Sequence, residues 1–171
     1  VGLSELLVGD VDIIRIEISR FDWAGMTCGC GRDADHIPRD FLSALSKAPA
    51  DRAGEDWADN HAYIQSNLMA PAIPTASMVM SALAADVPTE HRRNLLAVLQ
   101  SLACGEQEDI AEKCLDVIRG GTWLLYEEIT SGRSIDAAAY AYEILDLMEE
   151  EHDRLRRFHD AAENRLPHYL R

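Results

Sequence analysis

From Asp51 to Leu166 apolar residues recur every three or four positions in short blocks, and Pro71, Pro74, Pro88, Gly105, Gly120, Gly121 and Gly132 cut the blocks apart. That spacing is the period of a helix buried along one side. The strict alternation of a half-buried strand is nearly missing. Short connections make successive helices antiparallel neighbours. The expected fold is all-α: a HEAT-like stack of antiparallel helical hairpins with about eight helices, each pair near the ~40–47-residue period of that repeat. A chain of 171 residues is expected to form one domain over 1–171, burying roughly 70% of the surface its unfolded form exposes.

The blocks follow one another without a long linker. Leu3, Leu6 and Leu7 open a weak apolar turn. Between Val11 and Phe21, residues Val11, Ile14, Ile18 and Phe21 take helical spacing, while Ile14, Ile16 and Ile18 also alternate with charges as a strand would. No second alternating run exists to pair with, so the reading is helix. Thr27–Asp35, with Cys28-Gly29-Cys30-Gly31, is the clearest loop, and Pro38 suits the first turn of a helix carrying Phe41, Leu42 and Leu45. Ala53, Trp57, His61 and Ile64 mark the next helical stripe, from near Asp51. Further helices carry Val79 and Leu83, Leu95 and Leu99, Ile110 and Cys114, Trp123 and Tyr126, and Ile135 to Met148, the last capped by Ser134. Leu155, Phe158, Ala162 and Leu166 continue the pattern as one long helix or two. Trp23, Trp57 and Trp123 are expected in the core.

The charge is uneven. The formal net charge is −14, and residues 106–151 hold 13 acids against 3 bases. Such a field repels phosphate backbones, so nucleic acid is not the expected partner, whereas a basic protein is. No apolar run approaches the ~20 residues of a membrane helix, and Val1–Asp10 lacks the basic start of a secretory signal. Cys28, Cys30, Cys104 and Cys114 are too few for a disulfide scaffold in a chain this long, so reduced cytoplasmic thiols are expected. Arginine outnumbers lysine 14 to 2, as GC-rich bacterial genes favour.

Several constellations could carry chemistry. Cys28 and Cys30, with His36 and Asp33 or Asp35 nearby, are donor types that suit zinc. A single residue between the cysteines is tighter than usual, and a flexible turn with two incidental thiols is the preferred reading. Glu149-x-x-His152 is the helical pair of di-iron bundles, but it occurs once, in a run of glutamates expected to face water. His152 and His159 share a helix face beside Asp153 and Asp160. Neither a Gly-x-Ser-x-Gly turn nor a phosphate-cradling glycine loop occurs. The strongest candidate is acidic: Glu108, Glu112 and Asp116 step by four along one helix flank, Asp109 lies beside them, and Glu127 and Glu128 could join from the next helix. Such a ridge could imitate nucleic acid and fill the cleft of a basic protein.

Asp22-Trp23, Asp35-His36-Ile37-Pro38, Gln65, Ala70 to Pro74 and Arg92 to Leu96 occur in the order and spacing of a group of bacterial HEAT-like proteins. The chain resembles that group over roughly residues 20–105, and departs from it at Ile64-Gln65-Ser66, where a flanking His and Gly are missing. Members of the group are similar to immunity proteins encoded beside bacterial toxins. The resemblance implies a non-enzymatic protein-binding role, with toxin neutralisation as its form. The function expected from the sequence is therefore a protein-binding module acting through the acidic face, with neither catalytic residues nor cofactor nor metal. The alternative is a metal-dependent helical enzyme using the Cys28–His36 loop or the Glu149–His152 helix. A subunit of a homo-oligomer is a third expectation.

Overall fold

The computed structural model describes residues 10–48 and 55–171. The Leu3–Leu7 turn and the start of the block at Asp51 lie outside them. The described residues are mostly helical, with eight α-helices and one two-residue hairpin. Helix α1 (Asp10–Ser19) settles the ambiguous stretch as helix. Ile14 is buried and Ile18 and Phe21 pack on the core, whereas Ile13 and Ile16 face outward. The alternating isoleucines were therefore incidental; the 3.6-residue period carried the burial.

Helix α2 (His36–Leu45) holds Pro38 in its first turn. The expected helix through Trp57, His61 and Ile64 does not form over 55–64. The chain makes tight turns there and then a hairpin of β1 (Tyr63–Ile64) and β2 (Asn67–Leu68), with Tyr63 opposite Leu68. Asn60 (φ 62°) and Gln65 (φ 55°) take the left-handed conformation, which breaks a helix at both places. Trp57, Ala58, Ala62, Tyr63 and Leu68 are nonetheless buried. The apolar spacing was correct about burial and misleading about backbone.

Six helices complete the chain: α3 (Ala72–Ala84), α4 (Thr89–Ala103), α5 (Glu108–Arg119), α6 (Thr122–Ser131), α7 (Ile135–Asp146) and α8 (His152–Ala162). Ser134 caps α7 as expected, its Oγ accepting from the Ala137 amide at 3.2 Å. A 3-10 turn at Glu149–Glu151 separates α7 from α8, so the last apolar stripe is two helices. Helix α3 packs on α1, α4 and α5; α4 also meets α5 and α7; α8 lies on α6 and α7. Helix α3 is apolar nearly all round and carries nine buried residues. One apolar cluster runs from Ile14 to Leu166. No helix among the described residues is long and apolar enough to cross a membrane.

Trp23 and Trp57 are in that core, but Trp123 is not. Its side chain is 63% exposed, with the Arg154 guanidinium 5.1 Å from the ring centroid and Phe158 at its edge. One turn on, Tyr126 takes the inward position of α6 instead.

Candidate metal centre

The Cys-Gly-Cys-Gly segment is a tight turn. The Gly31 amide donates to the Cys28 carbonyl at 2.9 Å, the Cys28 amide donates to the Arg32 carbonyl at 2.8 Å, and Thr27 and Asp33 form a bridge that closes it. Gly31 has φ +83°, which a glycine adopts without strain. Gly29 lies against the 58–62 turn, its amide donating to the His61 carbonyl at 2.9 Å. A Cβ there would sit 2.9 Å from the Asn60 carbonyl oxygen, so only glycine permits the approach. The turn thus brings both cysteines against two histidines, His36 at the start of α2 and His61 in the turn before β1. Phe41 of α2 stacks edge-on against Trp57 with ring centroids 4.6 Å apart, and this fastens α2 to the segment that carries His61.

The four donor atoms make one cluster. Cys28 Sγ is 3.4 Å from Cys30 Sγ, 3.5 Å from His36 Nε2 and 3.2 Å from His61 Nδ1. His36 Nε2 is 3.1 Å from His61 Nδ1 and 3.9 Å from Cys30 Sγ. All pairs fall within 4.8 Å. A zinc ion with its usual bond lengths would set tetrahedron edges of ~3.8 Å between sulfurs, ~3.6 Å from sulfur to nitrogen and ~3.3 Å between nitrogens. Each of the five distances above lies within about 0.4 Å of its ideal edge.

The tautomer of His36 also fits. Its Nδ1 lies 2.9 Å from the Asp33 carbonyl oxygen, which can only accept, so Nδ1 carries the proton and Nε2 turns its lone pair toward the cluster. Cys28 is buried, and burial raises its thiol pKa. Cys30 is exposed, and the Arg32 guanidinium beside it pulls its thiol down to about 6. A bound cation would favour the thiolate form of both.

Sequence reasoning named Cys28, Cys30 and His36 but preferred incidental thiols, and it missed His61. Only the fold brings His61 in, because 25 residues separate it from His36. Asp33 contributes its backbone carbonyl rather than its carboxylate. The Glu149–His152 pair does not assemble. Glu149 is exposed in the 3-10 turn, and His152 Nε2 lies 2.8 Å from the Asp146 carbonyl oxygen. His152 and His159 do share a face, along a shallow groove with Tyr142 and Asp146. The Cys/His cluster is the only group of three or more metal-capable side chains gathered among the described residues.

The acidic candidates divide. Glu108, Asp109, Glu112 and Asp116 are exposed along α5, as their spacing implies. Arg119 neutralises part of that row, meeting Glu112 at 2.7 Å, Asp116 at 2.6 Å and Glu150 at 2.6 Å. Glu127 is held by Arg133, with 2.8 Å between Arg133 Nη1 and Oε1. Glu128 cannot belong to a surface ridge: its side chain is 1% exposed, with Oε2 2.6 Å from Arg92 Nε. Glu108 and Asp109 sit in the first turn of α5, where the helix dipole favours carboxylates. With Glu112 they rim a groove floored by Ala103, Ala111 and Leu115.

Thiol chemistry provides a direct check on this arrangement. In metal-free folded protein, Cys30 and Cys104 should react with iodoacetamide. Cys28 and Cys114 are buried, and burial pushes the Cys114 thiol up to about 12; they should be at least tenfold slower. Zinc should then shield Cys30 and leave Cys104 unchanged. Rapid labelling of Cys114 without denaturant would contradict the packing of α5.

Comparison of the chain with protein-family models, with curated proteins and with solved structures returned no match.

Proposed function

We propose that this protein is a zinc-binding helical module in which the ion is structural, and that its work is protein recognition rather than catalysis. The carrying observation is that the donor atoms of Cys28, Cys30, His36 and His61 all lie within 4.8 Å of one another, with five of their six separations close to the edges of a zinc tetrahedron. Two sulfurs and two nitrogens in that geometry select zinc among common ions. Four protein donors leave no coordination position for a substrate or an activated water, which is the mark of a structural site. The ion would join two turns with little regular structure of their own, 28–31 and 58–62, to the start of α2. A reducing compartment such as the cytoplasm would keep both thiols as ligands.

Metal analysis of untagged protein tests this. About one zinc per chain is expected, and replacement by cobalt should give the visible bands of a tetrahedral thiolate site. Metal well below stoichiometry after purification without chelators would refute the reading.

The recognition surface we favour is the start of α5. Glu108 and Asp109 have no ion pair among the described residues, and an apolar floor lies beside them. That combination supports a basic protein partner, in keeping with the immunity-protein resemblance. On this reading α3–α4 and α6–α7 are hairpins of a HEAT-like stack, with α5 packed on α3. A tagged bait should recover a basic protein in a salt-sensitive complex, and the triple variant Glu108→Lys, Asp109→Lys, Glu112→Lys should lose it at least tenfold. Unchanged recovery by that variant would place the binding face elsewhere.

A further inference from the structure

We propose that Cys28 and Cys30 form a thiol switch within the zinc site: a peroxide oxidises the pair to a disulfide and expels the ion. The inference rests on the zinc reading above and adds regulation to it. Three features of the turn carry it.

The first is proximity. The two sulfurs stand 3.4 Å apart on one turn, so they must close by little more than an ångström to reach a bond length of ~2.05 Å. The residue between them is glycine, and the next is glycine with positive φ, so no side chain opposes the adjustment. The second is asymmetry. Cys30 is exposed and Cys28 is 2% exposed, which separates a sulfur that an oxidant can reach from one that only its neighbour can reach. The third is selectivity. Cys114 is fully buried in α5, and Cys104 follows α4, so the pair on the turn is the one arranged to join.

The chemistry balances with hydrogen peroxide as oxidant. The Cys30 thiolate attacks one peroxide oxygen; the O–O bond breaks, Cys30 becomes a sulfenic acid, and the departing hydroxide takes up a proton to become water. The Cys28 thiolate then attacks the Cys30 sulfur. The S–O bond breaks, the S–S bond forms, and the second hydroxide leaves as water with a second proton. Two thiolates have lost two electrons, one peroxide has been reduced to two waters, and Zn²⁺ is released. His36 and His61 remain, and two imidazoles are too few to hold zinc as a structural site does. The 28–31 turn would then lose the tie to α2 that coordination of His36 to the same ion supplies.

Protein whose zinc content has first been measured is titrated with hydrogen peroxide. Released zinc is followed with a chromogenic chelator, free thiols are counted, and peptides are mapped by mass. The expected result is one zinc released per chain as two of the four thiols disappear, a Cys28–Cys30 disulfide, and recovery on adding dithiothreitol and zinc. Cys104→Ser should respond unchanged. Zinc-loaded protein that keeps its ion while Cys104 is oxidised overturns the switch and leaves the zinc reading standing, as does loss of zinc with sulfinic acids in place of a disulfide. Protein that binds no zinc before peroxide is added overturns both.

Discussion

Chelation of zinc, or its loss in His61→Ala, should lower the melting temperature by roughly 8–16 °C. A ligand present at a thousand times its dissociation constant stabilises the folded state by about 4 kcal/mol. A domain of this size shifts by about 2–4 °C per kcal/mol. The damage should also be local. The donors come from the 28–30 turn, the first residue of α2 and the 58–62 turn, so amide exchange should accelerate there. It should change least in α6, which packs on α7 and α8. His61→Ala should reproduce chelation, and added zinc should not rescue it. A control at His159, which lies 2.7 Å from the Leu170 carbonyl oxygen and outside the cluster, should keep both zinc and the chelation response. Calorimetry with and without chelator decides the matter: identical curves for native and chelated protein would remove the structural ion from the account.

His61 also shows why much of the fold could be read in the sequence while the site could not. Helical periodicity is a local signal, and α1 to α8 follow it, including the doubtful stretch at Ile14 and Ile18. The capping of α7 by Ser134 was equally local. A metal site built from separate turns has no such signal. Cys28, Cys30 and His36 were visible as donors of a suitable kind, but a fourth donor was needed, and His61 was taken for part of a helical stripe. Its backbone departs from a helix because Asn60 adopts positive φ, a conformation asparagine tolerates better than most residues. The acidic row shows the converse. Spacing correctly placed Glu108, Glu112 and Asp116 on one exposed flank, but it could not reveal that Arg119 folds back over two of them. Nor could it tell Glu128, turned inward, from Glu127 beside it.

Glu128→Leu should cost about 3–5 kcal/mol, and the double variant Arg92→Met, Glu128→Leu should recover most of that loss. The pair joins α4 to α6. Its side chains are 7% and 1% exposed, and Arg92 Nε lies 2.6 Å from Glu128 Oε2. Arg133 reaches the same oxygen at 3.0 Å, and Arg92 Nη2 also donates to the Leu83 carbonyl at 3.4 Å. The other carboxylate oxygen, Oε1, has no hydrogen-bond partner among the described residues. The arrangement is therefore costly. Two charges have left water, and one of the two acceptor atoms gains nothing in exchange. Removing Glu128 alone strands the Arg92 guanidinium among Leu83 and the α4 core, which is the expensive outcome. Arg92→Met alone should cost less, because Arg133 still faces the carboxylate and is partly open to water. Replacing both partners removes both desolvation penalties and fills the space with apolar atoms, so the double variant should lie closer to the native protein than to either single one. Urea unfolding of the four proteins at neutral pH gives the coupling directly. Strict additivity of the two single losses would mean that the charges do not act as a pair and that the cost of Glu128→Leu arises from packing alone.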